Sequence, residues 1–350
     1  MKIQKSCRIF FHNPWNEIKI FLDENKYSSY FVLMDENIYS QCYPYFLQKN
    51  IFPDHHFFII PAGENSKSIL SATQFWDWTL SKGIERNSLC IALGGGMVCD
   101  LLGFCASVLK RGIDCCYVPT SLMAMVDASI GGKTGINFGG FKNQVGSFSQ
   151  PMSVVIDPYF LNTLDQRNLK NGFVEMVKHS LLSDANYWDE LRVVHWPLKI
   201  ENIEKLIEKS INFKTEIVVK DFYEEAERKK LNFGHTFGHA IESFCLSQNK
   251  DILHGEAIAL GMIYELNLSN RLFNFPKEKM FEIIDYLKWF ALHIKFEGQD
   301  IKEILISMKT DKKVNRGILE FSLLKDIGQP IINCAVKEEM ILEILGLKLF

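Results

Sequence analysis

Two histidines one helical turn apart are the residues of this sequence best suited to chemistry. They lie in the segment Leu-Asn-Phe-Gly-His-Thr-Phe-Gly-His, which runs from Leu231 to His239, and His254 follows a short loop later. Residues at positions i and i+4 share one face of a helix, so His235 and His239 can point into the same space. Imidazole is a common ligand of borderline divalent metals. The spacing indicates either a metal site or two structural histidines, and it does not by itself separate them.

Length and charge limit the classes of partner. A chain of 350 residues can form two domains, and a net charge of −3 argues against nucleic acid as a partner. The apolar run near the first residue is too short for a signal peptide, and later runs fall short of the roughly 18 to 20 residues that span a bilayer. The sequence therefore predicts a cytoplasmic protein with no membrane partner.

The cysteines indicate buried thiols in a reducing compartment. Nine cysteines are scattered along the chain without a Cys-x-x-Cys spacing, and the adjacent Cys115 and Cys116 are predicted to end a strand. Any metal should therefore have nitrogen and oxygen ligands.

The first part of the chain has the pattern of alternating strands and helices. Short apolar runs at 30–34, 57–60 and 88–93 predict strands, and residues 67 to about 80 predict a helix. The last of these runs leads into Gly94, Gly95 and Gly96. Such a turn lets backbone N–H groups approach a pyrophosphate at a helix N-terminus, although the triplet is not Gly-x-Gly-x-x-Gly and also fits a plain tight turn.

The second part has helical periodicity. Segments near 171–183, 186–195, 199–220, 229–247, 255–272 and 277–290 carry apolar residues at spacings of three and four. The predicted architecture is an α/β domain of the Rossmann type over 1–157, followed by a mostly α-helical domain over 158–350.

A polar, glycine-rich stretch over 111–144 suits a small anionic ligand. Lysines on such loops anchor phosphate and carboxylate groups, although a polar surface loop would have a similar composition. The Gly-Lys-Thr at 132–134 lacks the glycine spacing of a Walker A loop, which disfavours nucleoside triphosphate hydrolysis.

Several motifs together resemble the 3-dehydroquinate synthases, the sugar-phosphate cyclases of the shikimate pathway, from about Asp35 to Gly328. The motifs are Gly94-Gly95-Gly96 with Asp100, Pro119-Thr120, the segment from Val126 to Gly135, Lys142-Asn143, Glu175 with Lys178, the segment from Leu231 to Glu242, His254-Gly255-Glu256, and Asp311-Lys312-Lys313-Val314.

The resemblance implies one divalent metal, zinc or cobalt, held by Glu175, His235 and His254. It implies that His239 and Glu224 accept protons instead of binding the metal, and it places Lys178 among the catalytic residues. In this interpretation the two histidines of the helical motif have different roles.

The resemblance also implies sites for NAD and for a small sugar-phosphate substrate. The residues implied for NAD are Asp35, Glu64, Lys67, Gly95, Gly96, Asp100, Thr120, Ser121, Lys142, Phe160, Leu161, Asn162, Thr163 and Asn171. Those implied for the substrate are Arg111, Asp127, Lys133, Asn143, Lys178, Lys214, Arg228, Asn232 and one of Lys312 and Lys313.

The implied reaction converts 3-deoxy-D-arabino-heptulosonate 7-phosphate into 3-dehydroquinate and phosphate. It proceeds by transient oxidation with NAD, elimination of phosphate, reduction and aldol ring closure. Lys214, Arg228 and Asn232 suit the carboxylate of this substrate, which related cyclases with inosose- or valiolone-type products do not need to bind. Such a cyclase, a metal-dependent alcohol or glycerol dehydrogenase and a non-catalytic scaffold remain the alternatives, and a homodimer is expected.

Overall fold

The computed structural model describes residues 7–349 except 53, 140, 292, 312–318 and 348. The chain divides into two compact units, Met1–Asp165 and Gln166–Phe350. The predicted domain boundary lies between 157 and 158, just before a 3₁₀ turn at Pro158–Thr163 that belongs to the first unit.

The first unit alternates strands with helices. Its strands are β1 (Arg8–Phe10), β2 (Tyr30–Asp35), β3 (His56–Ile60), β4 (Leu89–Gly94), β5 (Asp114–Pro119), β6 (Lys133–Phe138), β7 (Phe141–Phe148) and β8 (Ser153–Val155). Its helices are α1 (Pro14–Asn25), α2 (Glu36–Gln41), α3 (Tyr43–Gln48), α4 (Ile69–Ser81) and α5 (Gly96–Val108).

Six of these strands form a parallel sheet in the order β1-β8-β5-β4-β2-β3. β4 is buried along its whole length, as expected for a strand covered on both faces. The predicted strand end at Cys115 and Cys116 is wrong, because β5 continues to Pro119. The run of apolar residues after the two cysteines keeps this strand inside the core. β6 and β7 form a separate antiparallel hairpin.

The second unit is mainly helical, and each predicted helical segment overlaps a helix. Its helices are α6 (Gln166–Ser183), α7 (Ala185–Arg192), α8 (Glu204–Lys220), α9 (His235–Ser247), α10 (His254–Phe273), α11 (Lys277–Lys288), α12 (Gln299–Asp311) and α13 (Glu338–Leu345). An antiparallel hairpin of β9 (Leu319–Asp326) and β10 (Gln329–Val336) was not predicted. The predicted fold class is confirmed.

The cysteines behave as structural thiols. All nine are free, and all except Cys7 are buried. Burial raises the pKa of the Cys90 thiol to about 12, so this side chain stays protonated and unreactive near neutral pH. Among the helices that the structure describes, none is both long and apolar enough to cross a bilayer.

Candidate metal and cofactor site

Three helices of the second unit bring four predicted residues together. Glu175 lies on α6, His235 and His239 lie on α9, and His254 begins α10. Nε2 of His235 and Nε2 of His254 are 3.7 and 3.8 Å from Oε1 of Glu175. The candidate metal ligands therefore converge from three separate segments.

Hydrogen bonds on the far side of two rings orient them toward Glu175. Nδ1 of His235 is 3.1 Å from the carbonyl oxygen of Phe233, and Nδ1 of His254 is 3.0 Å from Oε2 of Glu242. Donation from Nδ1 leaves Nε2 with its lone pair, which is the form that binds a metal. Both Nε2 atoms face the Glu175 carboxylate.

His239 also belongs to this cluster. Its ring centroid lies 5.2 Å from that of His235 and 5.7 Å from that of His254. One nitrogen from each of the three histidines can lie within 4.8 Å of the other two, so the geometry also permits His239 as a ligand. The division into ligands and a proton acceptor stays a prediction.

The electrostatic surroundings of the two oriented rings differ. Burial, followed by repulsion from Lys178, His239 and His254, holds the pKa of His235 well below its usual range, so its ring is neutral. Burial alone would lower the pKa of His254, but the charge and hydrogen bond of Glu242 outweigh it and the pKa is raised.

Glu175 is buried, which makes its charge costly unless a cation compensates it. Among the described residues, neither carboxylate oxygen has a hydrogen bond of normal geometry, although Nζ of Lys178 lies 2.5 Å from Oε2. Oε1 of this carboxylate lies beside two imidazole nitrogens, and such a set of donors is one that zinc and cobalt accept. These residues fit a divalent metal.

The predicted cations of the second unit are buried. Lys178, Lys214 and Arg228 are each at most 5% exposed, and Nη1 of Arg228 donates to the carbonyl oxygen of Phe222 at 2.6 Å. Buried cations need anionic or hydrogen-bonding partners, and a substrate carboxylate provides both.

Glu224 and Asn232 are joined in a turn before α9. Nδ2 of Asn232 donates to Oε1 of Glu224 at 2.7 Å, and Glu224 has a left-handed backbone at φ 60°. Oδ1 of Asp221 accepts the N–H of Glu225, and its Oδ2 accepts those of Ala226 and Arg228. Non-glycine residues in this conformation are strained and cluster at functional sites.

Predicted NAD residues of the first unit meet at one edge of the sheet. Asp35 ends β2, Gly95 and Gly96 follow β4, and Thr120 and Ser121 follow β5. These strands are neighbours, so their carboxyl ends lie side by side, where parallel sheets bind nucleotides. A Cβ on Gly95 would lie 3.3 Å from Oγ of Ser121, and the N-terminus of α5 begins here. The site fits a pyrophosphate.

A buried lysine links this edge to the hairpin. Nζ of Lys67 donates to Oδ2 of Asp100 at 2.5 Å and also to Oδ1 of Asn143. The backbone N–H of Asn137 donates to the carbonyl oxygen of Lys67 at 2.7 Å. The side-chain amide of Asn137 donates to Oε1 of Glu64 at 2.9 Å. The structure thus joins residues predicted for NAD with one predicted for the substrate.

The remaining predicted residues are distributed over several elements. Lys133 begins β6, Lys142 lies on β7, Asp127 lies in a π-helical turn at Ala124–Ala128, and Phe160, Leu161, Asn162 and Thr163 form part of the 3₁₀ turn after β8. Arg111 precedes β5 and lies at the edge of the sheet opposite the NAD candidates. Lys312 and Lys313 lie outside the described residues.

Asn171 has a structural role that the sequence did not reveal. Its Oδ1 accepts the backbone N–H of Gly255 at 2.5 Å, which ties α6 to the N-terminus of α10. Asn171 lies one turn before Glu175 on α6, so both side chains lie on the same face of α6, toward the start of α10. Glu242 was also not assigned a role, although its place seven residues after His235 puts it on the face of both histidines.

Two family models match consecutive parts of the chain. The model for the N-terminal part of 3-dehydroquinate synthase matches residues 57–171, and the model for the C-terminal part matches residues 172–314. The chain belongs to the 3-dehydroquinate synthase family. A 3-dehydroquinate synthase of Parabacteroides distasonis is 41% identical over 331 residues, which is 94% of each chain.

Solved structures of sugar-phosphate cyclases are also similar. A 2-deoxy-scyllo-inosose synthase in complex with carbaglucose-6-phosphate, NAD+ and Co2+ superposes with a TM-score of 0.86 at 25% identity, covering 97% of this chain and 95% of the other. A 2-epi-5-epi-valiolone synthase of Streptomyces hygroscopicus with NAD+ and Zn2+ has a TM-score of 0.83 at 25% identity, covering 99% and 96%. Each of these two structures holds NAD+ together with a divalent metal ion.

Proposed function

We propose that this chain converts 3-deoxy-D-arabino-heptulosonate 7-phosphate into 3-dehydroquinate and phosphate, with NAD and one divalent metal, zinc or cobalt, as cofactors. The observation that carries the proposal is the convergence of Glu175, His235 and His254 in a member of this family. The overall reaction is a carbon–oxygen bond cleavage that releases phosphate, so the enzyme is a lyase.

The two cofactors would be held by different candidate residues. Glu175, His235 and His254 would bind the metal, and the carboxyl edge of β2, β4 and β5 would bind NAD. When bound, the metal is a Lewis acid for the substrate's hydroxyls, and NAD takes up a hydride and later returns it. The protein supplies position and charge for both.

Proton transfer falls to side chains beside the metal ligands. His239 lies next to both oriented histidines, and its ring can accept a proton from a substrate hydroxyl. Glu224 is held by Asn232, which fixes the carboxylate for a second proton transfer.

The substrate's carboxylate distinguishes this reaction from those of related cyclases. Lys214 and Arg228 are buried cations, and they suit a carboxylate at the site. A sugar phosphate without a carboxylate would leave them with fewer anionic partners. We therefore expect the heptulosonate phosphate to be turned over faster than a sugar phosphate that lacks this group.

The proposed reaction can be tested by measuring phosphate release and NADH absorbance together. The purified chain with NAD and Zn2+ should release phosphate from the heptulosonate phosphate with no net NADH formed, because the hydride is returned. Chelation of the metal and the substitution Glu175→Gln should each lower the rate by at least about 100-fold, the scale on which a metal centre contributes to catalysis. Glu190→Gln, which makes the same change at an exposed ion pair on α7, should keep the rate.

Three results would contradict the proposal in different ways. Activity that survives both chelation and Glu175→Gln would remove the metal assignment. Net accumulation of NADH would indicate a dehydrogenase, and faster turnover of a sugar phosphate without a carboxylate would indicate another cyclase. The homodimer expected from the family resemblance can be measured by light scattering on the same preparation.

A further inference from the structure

We infer that Glu242 is a positioning residue that fixes the ring of His254 toward Glu175 and thereby sets the affinity for the divalent metal. The inference rests on the proposed metal site and adds a residue to it. Glu242 lies on the same face of α9 as His235 and His239, at positions i, i+4 and i+7. Its Oε2 is 3.0 Å from Nδ1 of His254, and its side chain is only 12% exposed.

The two oriented histidines depend on different partners. The ring of His235 is held by the backbone carbonyl of Phe233, which no side-chain substitution removes. The ring of His254 is held by the Glu242 side chain. A carboxylate that accepts the Nδ1–H of a ligand fixes its tautomer and strengthens Nε2 as a donor. His254 is therefore the ligand whose orientation a single substitution can release.

Two further contacts hold the backbone on either side of His254 and do not involve its ring. Oε2 of Glu256 accepts the N–H of Leu253 at 2.8 Å, and Oδ1 of Asn171 accepts the N–H of Gly255 at 2.5 Å. The start of α10 thus keeps its place when Glu242 is changed. What changes is the rotation of the imidazole about its side-chain bonds, which Glu242 restrains through the hydrogen bond.

The test measures binding of Co2+ by competition with a chromophoric chelator, together with the visible spectrum of the bound ion. Glu242→Ala should weaken binding by about 10- to 100-fold, the usual effect of losing such a partner. Glu242→Gln keeps both the reach and an acceptor oxygen, so it should stay within a few-fold of wild type. Glu242→Asp keeps the charge but shortens the reach, so it should resemble Glu242→Ala.

This order of affinities separates orientation from charge. If charge alone mattered, Glu242→Asp would bind like wild type and Glu242→Gln would be weak, and the inference would be overturned. The comparison of Gln with Asp decides the question even if Glu242→Ala does not fold. Glu282→Ala is the control, because Glu282 bonds to Trp188 on a different part of the unit. Its affinity for Co2+ should be unchanged.

The result also distinguishes failure of the inference from failure of the proposed function. If wild type binds no Co2+, the metal site itself is wrong. If wild type binds Co2+ and all three Glu242 variants bind it equally well with the same spectrum, the metal site stands and the positioning role falls.

Discussion

Lys178 and Glu175 form an ion pair whose two side chains are at most 2% exposed. They lie three residues apart on α6, so the backbone of one helix fixes their separation. Removing one partner of a buried pair is costly, because the other is left as an uncompensated charge. The ammonium therefore stabilises the carboxylate that is proposed to bind the metal.

This ion pair predicts that a bound metal ion and the Lys178 ammonium both compensate the negative charge of Glu175. Lys178→Met should lower the free energy of unfolding of the metal-free chain by about 3 to 5 kcal/mol. Added Zn2+ should then raise the melting temperature more in the variant than in wild type, because the ion supplies the missing positive charge. Thermal unfolding with and without Zn2+ measures both effects.

Lys209→Met is the matched control for this prediction. Lys209 pairs with Glu190 at an exposed site, and such pairs contribute about 0 to 1 kcal/mol. An equal response to Zn2+ in Lys178→Met and wild type would show that Zn2+ and the Lys178 ammonium do not compensate the same carboxylate.

Sequence reasoning proposed candidate ligands but not the residues that orient their rings. His235 and His239 are visible from their spacing, with His254 a short loop later. Glu175, and the roles of His235 and His254 as ligands, came from the family resemblance. Glu242 was detectable in principle, since it continues the helical face of the two histidines. Asn171 was not detectable in this role, because its contact with Gly255 joins positions far apart in sequence.

At the scale of helices, α9 and α10 approach so closely that only glycine fits between them. A Cβ on Gly261 would lie 1.9 Å from the carbonyl oxygen of Gly234 and 2.8 Å from the backbone nitrogen of Gly238. The backbone N–H of Gly234 also donates to Oε2 of the buried Glu265 on α10 at 2.6 Å. The glycines of the histidine motif therefore set the distance between the helices that carry the candidate ligands.

Gly261→Ala should separate these helices. Overpacking against backbone atoms costs about 1 to 3 kcal/mol, and we expect at least this loss in denaturant unfolding. Binding of Co2+ should weaken as well, because Gly234 directly precedes His235. Gly346→Ala is the control: its Cβ would meet the nearest atom at 3.4 Å, an ordinary contact, so stability should stay within about 0.5 kcal/mol. A stable Gly261→Ala variant with unchanged affinity would contradict this prediction.

Elements were predicted well where local periodicity determines them and poorly where distant pairing does. The helices α6 to α11 follow apolar spacings within single segments and were predicted, whereas α12 and α13 were not. The β9–β10 hairpin was not predicted; its strands pair with each other, and β9 packs against α10. Cys115 and Cys116 were placed at a strand end, although the apolar residues after them continue β5 to Pro119 and pair with strands distant in sequence.

For the whole molecule, the two units carry different predicted cofactor residues. The metal candidates all lie in the second unit, and all NAD candidates except Asn171 lie in the first. A ligand stabilises the region that binds it, because local opening then requires its release.

Hydrogen exchange should therefore show separate footprints. Zn2+ alone should protect amides in α6 and at the starts of α9 and α10, whereas NAD alone should protect those after β2, β4 and β5. Mass spectrometry of peptides from each unit measures both patterns on the intact chain. Protection by Zn2+ confined to the first unit would contradict the assignment of the metal ligands.

The spacing of three side chains on α6 also limits which insertions and deletions this helix can accept. Asn171 contacts the start of α10, Glu175 lies beside the candidate ligand His235, and Lys178 forms the ion pair with Glu175. The three side chains come from consecutive turns of one helix. One inserted or deleted residue between Asn171 and Glu175 would rotate one side chain relative to the other by about 100°. Substitutions in this stretch can be compensated singly, but a change of register cannot, so α6 should tolerate no insertion or deletion in these turns.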